Sequence, residues 1–235
     1  MRLMIPSVLK PLPISDWGIL RDESLDFENL PPGSPEREAA EKAHRALVQE
    51  DAMNALRGSV AMRYALMCYN KDAAASGKPH IKIGCGLNTG RATCGILGSE
   101  DKMEYTAIGD SVNFASRTES SNKPCGTDIL ISEDTYRLLK DDYADQVIFE
   151  KIPVAFQVKG KGEQHFYAVV NLPRFDIAAF FRAADPDFVL DPDCARSAGP
   201  DGPQTLSQLR ALLGIPTPDY EAIDLHEENK VQIKQ

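Results

Sequence analysis

The sequence predicts an α+β fold, a mixed α/β sandwich in one main domain, and three observations carry that expectation. Glu36 to Asn70 is a run of helix formers rich in Ala, Glu, Arg, Leu and Met. Ile81, Ile83, Cys85 and Leu87 alternate with polar or glycine positions, which is strand periodicity. Beyond them, short apolar runs and short helical patterns alternate, separated by loops of hairpin length.

Leu3 to Leu9 reads as a short strand closed by Pro11 and Pro13, and residues 14–33 as a long loop ending in Pro31-Pro32-Gly33. Ser34-Pro35 is an N-cap followed by proline at the first helical position. Leu56, Val60, Tyr64 and Met67 recur at helical spacing and mark the buried stripe, while Gly58 leaves one long helix or two abutting helices open. Gly77-Lys78-Pro79 ends the region. Asn88-Thr89-Gly90 then reads as the turn of a hairpin between the strand at 81–87 and a second strand, Ala92 to Leu97. Tyr105 to Ile108 is a short apolar run, and Asp110 or Ser111 is placed to cap a helix over Val112 to Glu119. Pro124-Cys125-Gly126 is a turn before a strand at Ile129 to Ile131, and Ser132 caps a helix through Leu139. Val147 to Val158 and Phe166 to Val170 form two strands joined at Gly160-Lys161-Gly162. Residues 172–204 lack clear periodicity. Thr205-x-x-Gln208 is a capping-box pattern before Leu206, Leu209, Leu212 and Leu213, and Gly214 and Pro216 end that helix. Its leucine face is expected to dock on the main body. The expected division is a main domain over 1–171 and a C-terminal extension over 172–235 with one short amphipathic helix.

The chain has 235 residues, and 26 Lys+Arg against 35 Asp+Glu give a net charge of −9. That balance, with no Lys/Arg-rich run, disfavours a general nucleic-acid binder. No apolar run reaches the roughly 18 residues a membrane span needs, and the proline-broken N-terminus lacks the pattern of a signal peptide, so a cytoplasmic location is expected. The odd set of cysteines, Cys68, Cys85, Cys94, Cys125 and Cys194, forms no C-x-x-C pair and reads as reduced thiols. The histidines are scattered, so no metal ligands are assigned. Gly84-x-Gly86-x-x-x-Gly90 approaches a dinucleotide fingerprint, but its spacing is wrong and its glycines lie in a strand and its turn. No P-loop pattern is present.

The chemically informative stretch is Glu104 to Arg117, a strand end, a glycine turn and a helix start in succession. Asn113 and Arg117 stand four apart and share one helix face. An amide beside a guanidinium suits a ribose and a transferring phosphate. By spacing alone, an exposed polar face with an ordinary surface arginine is the commoner reading.

The ordered blocks Gly84-Cys85-Gly86-Leu87-Asn88-Thr89-Gly90, Gly95-Ile96-Leu97-Gly98-Ser99, Tyr105 to Arg117, Ile129-Leu130-Ile131-Ser132 and Val158-Lys159-Gly160-Lys161-Gly162 resemble the catalytic domain of class III adenylyl and guanylyl cyclases. Val60 to Leu66 resembles that family's preceding helix, and the likeness is strongest over residues 50–171. It implies an incomplete ferredoxin-like sandwich with a small helical C-terminal appendage. It also implies conversion of ATP to cyclic AMP and pyrophosphate in cyclic-nucleotide signalling. Asn113 would orient the ribose, Arg117 would stabilise charge on the α-phosphate, and Thr106 would help select the purine. Thr at that position is more typical of bacterial adenylyl cyclases. Lys159 would bind the terminal phosphates, with Lys161 a second candidate. Asp110 is read as a helix cap in preference to a metal ligand.

Members that work as homodimers carry two metal-binding aspartates, in Phe-x-Asp-Ile and Ile-Gly-Asp elements, that hold Mg²⁺ or Mn²⁺. This chain shows neither motif, and Met1 to Val8 resembles the strand just after the second. The expectation is a domain truncated at its N-terminus, with an exposed sheet edge and apolar surface and no activity alone. Its partner would be a second cyclase domain, as a homodimer or a heterodimer. An upstream membrane anchor, as many members carry, is compatible with this reading. Two rival readings are a non-catalytic module that pairs with an intact cyclase, and a gene remnant or miscalled start.

Overall fold

A computed structural model describes residues 29–99, 102–158 and 162–221. The expected strand at Leu3–Leu9 and most of the loop after it lie outside the described residues, as do Lys159 and Lys161. The elements are α1 (Pro35–Ala75), β1 (Cys85–Leu87), β2 (Thr93–Ser99), β3 (Lys102–Ile108), α2 (Asp110–Ser120), α3 (Asn122–Cys125), β4 (Ile129–Ser132), α4 (Glu133–Leu139), β5 (Ile148–Val158), β6 (Gly162–Asn171), α5 (Ile177–Arg182), α6 (Pro192–Ala195) and α7 (Leu206–Leu213).

α1 starts where the sequence places it. Ser34 Oγ accepts a hydrogen bond from the Arg37 amide at 3.2 Å, and Pro35 occupies the first turn. The helix runs unbroken through Gly58. A mid-helix glycine costs about 1 kcal/mol relative to alanine, but Gly58 is buried among Met53, Leu56, Ser59 and Val60. Tertiary packing holds the helix together there.

A four-stranded sheet in the order β1-β4-β6-β5 forms the centre, with β1 parallel to β4 and the other pairs antiparallel. Side chains alternate between its two faces. Ile129, Ile131, Tyr167 and Val169 pack with Met53, Leu56, Val60 and Tyr64 of α1 and Leu139 of α4. Leu130, Phe166, Ala168 and Val170 face the other way, onto Phe114 of α2 and Leu206 and Leu209 of α7. The central strands are buried on both faces, which is why β4 is apolar at three successive positions.

The expected hairpin between 81–87 and 92–97 does not form. β1 shrinks to three residues and pairs with β4, while β2 pairs with β3 from Thr93↔Ile108 to Ser99↔Lys102. The physical reason lies at Asn88-Thr89. Asn88 Nδ2 donates to the Ser111 carbonyl at 3.0 Å and the Thr89 amide donates to Thr135 Oγ1 at 2.9 Å, so these groups tie β1 to α2 and α4 instead of closing a turn. The segment expected as a turn at Pro124 is the end of a one-turn helix, α3, closed by Gly126 in the left-handed region.

Among the described residues after Asn171 there are three helices where one was expected. α5 and α6 are too short to show periodicity, but each has an aspartate N-cap: Asp176 accepts from the Ala179 amide, and Asp191 from the amides of Asp193 and Cys194. Leu172, Ile177, Phe181, Cys194 and Ala198 join the α1 side of the core. The leucine face of α7 docks as expected, with Leu206 and Leu209 buried. Its capping box is formed in full, with Gly214 as the left-handed C-cap. Thr205→Ala is expected to cost about 1 kcal/mol in a urea titration, the usual worth of an N-cap.

Candidate functional site

α2 carries the two residues the sequence singled out. It follows β3 through Gly109, whose φ of 146° is a backbone conformation that side chains rarely adopt. Gly109 is the N-cap, its carbonyl accepting from the amides of Val112 and Asn113 at 3.1 Å each. The expectation that Asp110 or Ser111 caps this helix is therefore corrected: Asp110 is its first residue, exposed, and no side chain caps it. The glycine allows the sharp reversal from β3 that a cap residue with a Cβ would resist.

α2 is fixed from below. Phe114 and Thr118 are buried, Phe114 lies 5.9 Å from Phe166 between ring centres, and Thr118 Oγ1 donates to the Phe114 carbonyl at 2.9 Å. Asn113 and Arg117 lie one turn apart, Asn113 exposed and Arg117 half-buried. Thr106 is exposed on β3, opposite Gly95 and four residues before the helix.

Sequence reasoning missed how this helix is held. A Cβ at Gly86 of β1 would lie 2.5 Å from Glu119 Cα and 2.6 Å from the Ala115 carbonyl oxygen. A Cβ at Gly90 would lie 2.8 Å from Ser111 Cβ. Gly86 lets the α2 backbone rest directly on β1, and Gly90 leaves room for the Ser111 side chain. The signal was the glycine spacing itself, which resembles a phosphate-binding fingerprint but serves helix–strand contact.

The β2–β3 hairpin is apolar and bare. Ile96 pairs with Tyr105, and by strand alternation Met103 shares their face. Ile96 is 65 %, Met103 68 % and Tyr105 61 % exposed, and Ile108 on the other face is 50 % exposed. Singly exposed apolar residues are ordinary, but a contiguous set beside polar functional groups marks an interaction surface.

The ions expected from the sequence are Mg²⁺ or Mn²⁺. Such ions take carboxylate and carbonyl oxygens. The single group of three or more potential ligands among the described residues is Cys68, Asp191 and Cys194, a sulfur-rich set distant in sequence from α2. Among the described residues no helix is long and apolar enough to cross a membrane.

Residues 42–171 match the family model described as the adenylate and guanylate cyclase catalytic domain. Adenylate cyclase 1 of Rhizobium meliloti (strain 1021) is 39% identical over 124 residues, which is 52% of this chain and 18% of that protein. An adenylate cyclase of Anabaena cylindrica is 34% identical over 113 residues, 46% of this chain and 22% of that protein. Guanylate cyclase alpha of Plasmodium falciparum (isolate 3D7) is 39% identical over 92 residues, 39% of this chain and 2% of that protein. The matched stretch thus spans less than a quarter of the length of these curated relatives. The crystal structure of the adenylyl cyclase CyaB from P. aeruginosa shares 33% identity, with a TM-score of 0.46, over 54% of this chain and 62% of that one. With more than half of its length matched by the family model, the chain belongs to the adenylate and guanylate cyclase catalytic-domain family.

Proposed function

We propose that this chain supplies the phosphate- and ribose-binding half of a composite adenylate cyclase site, and that a second cyclase domain supplies the other half. The observation that supports this most is the pairing of Asn113 and Arg117 one turn apart on one helix, beside a hairpin whose apolar face is exposed.

In this reading the substrate is ATP. The ribose 3′-oxygen attacks the α-phosphorus in line, and its proton leaves to solvent or a base. The bond from the α-phosphorus to the bridging oxygen breaks, and pyrophosphate departs with the electron pair. Positioning and charge stabilisation provide most of the help for such an intramolecular displacement. Asn113 orients the ribose through its amide. The Arg117 guanidinium donates to the α-phosphate oxygens as charge grows on them. Thr106 contributes to base selection, and Lys159, with Lys161 as the second candidate, binds the terminal phosphates. Mg²⁺ or Mn²⁺ would be held by the second domain, in a homodimer or a heterodimer, and the chain alone is expected to turn over no ATP. The exposed face of Ile96, Met103 and Tyr105 is the surface that the second domain covers.

Complementation tests this. The partner is a cyclase domain that keeps its metal aspartates but carries alanine in place of its own helix arginine. Each protein alone is expected to make no cyclic AMP, and the mixture to make it. Arg117→Ala in this chain should lower the mixed rate about 10²–10³-fold, the scale of losing one donor to developing charge. Association without turnover would favour a non-catalytic partner module. Robust turnover by this chain alone, lost on Arg117→Ala, would overturn the division of labour.

A further inference from the structure

Cys68 of α1 and Cys194 of α6 are far apart in the sequence, and neither belongs to a local metal-ligand pattern. The fold brings them together. Cys68 Sγ, Cys194 Sγ and a carboxylate oxygen of Asp191 all lie within 4.8 Å of one another. Cys194 is buried at 3 % exposure, and Cys68 and Asp191 are half-buried.

We propose that Cys68, Cys194 and Asp191 form a binding site for a thiophilic divalent cation of the zinc class, with one solvent molecule completing the tetrahedron. Two thiolates and a carboxylate match the donor preference of Zn²⁺ and not of Mg²⁺ or Ca²⁺. Binding releases the two thiol protons to the buffer, and the carboxylate is already ionised. The cluster has a supporting shell of the kind that orients ligands. The Asp191 side chain accepts from the amides of Asp193 and Cys194, at 2.9 and 3.2 Å, which fixes it at the N-terminus of α6. The Asp191 amide donates to Tyr64 Oη at 2.8 Å, which ties the loop before α6 to α1. One cation stands nearby: Lys71 Nζ lies 2.8 Å from an oxygen of Asp191 and 2.8 Å from one of Asp193. Lys71 is exposed and retains Asp193 when an ion takes Asp191. Lys71, Asp193 and Cys194 line a cavity of about 930 Å³, which gives the ion a route from solvent. Burial pushes the Cys194 thiol up to about 12, which makes it a poor redox nucleophile without a metal. A bound ion would clamp the C-terminal segment to the C-terminal part of α1.

The test uses the full chain, reduced and stripped of metal, titrated with Zn²⁺ against a chromogenic chelator and separately with Co²⁺. One Zn²⁺ per chain is expected, with a thiolate-to-cobalt charge-transfer band. Cys194→Ser or Cys68→Ser should weaken binding by more than about 100-fold, because losing even an outer-shell partner costs roughly 10–100-fold. Cys94→Ser, on the hairpin, should leave binding unchanged. Asp191→Asn keeps both thiols and should weaken binding while retaining the charge-transfer band, which guards against a cysteine variant that fails to fold. No binding by the reduced wild-type chain, or binding that survives Cys194→Ser or is lost with Cys94→Ser, overturns the proposal.

Discussion

Asp128→Ala is expected to lower folding stability by about 3–5 kcal/mol, the usual cost of leaving a buried charge without its partner. Arg63 sits in the middle of α1 at 2 % exposure. Its Nε donates to Asp128 Oδ2 at 2.6 Å and its second terminal nitrogen to Oδ1 at 2.9 Å, a bidentate pair. The remaining donors reach the carbonyls of Val169 at 2.7 Å and Val170 at 3.0 Å, with Ser197 at 3.5 Å. One guanidinium thus joins α1, β6, the approach to β4 and the C-terminal segment. Removing the carboxylate leaves that nearly buried charge without its counter-ion. Urea titration reads the loss directly, and the melting temperature should fall by roughly 2–4 °C per kcal/mol for a domain of this size. Arg63→Met combined with Asp128→Leu removes both charges and should recover part of the loss. Recovery stays partial because the carbonyls of Val169 and Val170 lose their donor. A loss below about 1 kcal/mol for Asp128→Ala would mean that the pair is solvated and does not organise the core.

Gly86→Val is expected to act on stability and activity together. The new side chain has no room, because the α2 backbone at Ala115 and Glu119 lies against the glycine. Backbone cannot rotate away as a side-chain tip can. Overpacking of this kind costs about 1–3 kcal/mol and sometimes more, and a branched side chain against backbone belongs at the upper end. The displaced element is the one that carries Asn113 and Arg117. A shift of about 1 Å in a positioning element can cost about 10²-fold in rate, so complementation activity should fall by that order even where the fold survives. Gly95→Ala is the control: a Cβ there meets nothing within 4 Å, so stability should change by less than about 0.5 kcal/mol. Equal effects at Gly86 and Gly95 would show that α2 does not rest on β1.

Features set by short-range chemistry were legible in the sequence. Ser34-Pro35 starts α1, Ser132 caps α4, and Thr205 with Gln208 builds the box that starts α7. In each case a side-chain oxygen and an orphan amide lie within four residues, so the interaction is written locally. The buried stripe of Leu56, Val60 and Tyr64 follows from helical period alone. The adjacency of Asn113 and Arg117 follows from the same geometry, and the order of the motifs carried the family.

Pairing was not legible. An apolar strand such as Cys85–Leu87 fits antiparallel to its neighbour or parallel to β4 equally well by alternation. The choice went to β4 because Asn88 and Thr89 found partners on α2 and α4, which no local pattern encodes. Gly86 looked like part of a failed nucleotide fingerprint until the approach of α2 gave it a reason. Nothing local in the sequence joins Arg63 to Asp128, which lie 65 residues apart and meet only when α1 packs on the sheet. By itself the sequence determined α1, α4 and α7 with their N-caps, the side-by-side display of Asn113 and Arg117, and the family. Tertiary structure alone decided the strand order, the Arg63–Asp128 pair and the meeting of Cys68 with Cys194. Those contacts join segments far apart in the chain, and their energies arise only when folding brings the segments together and excludes water from between them.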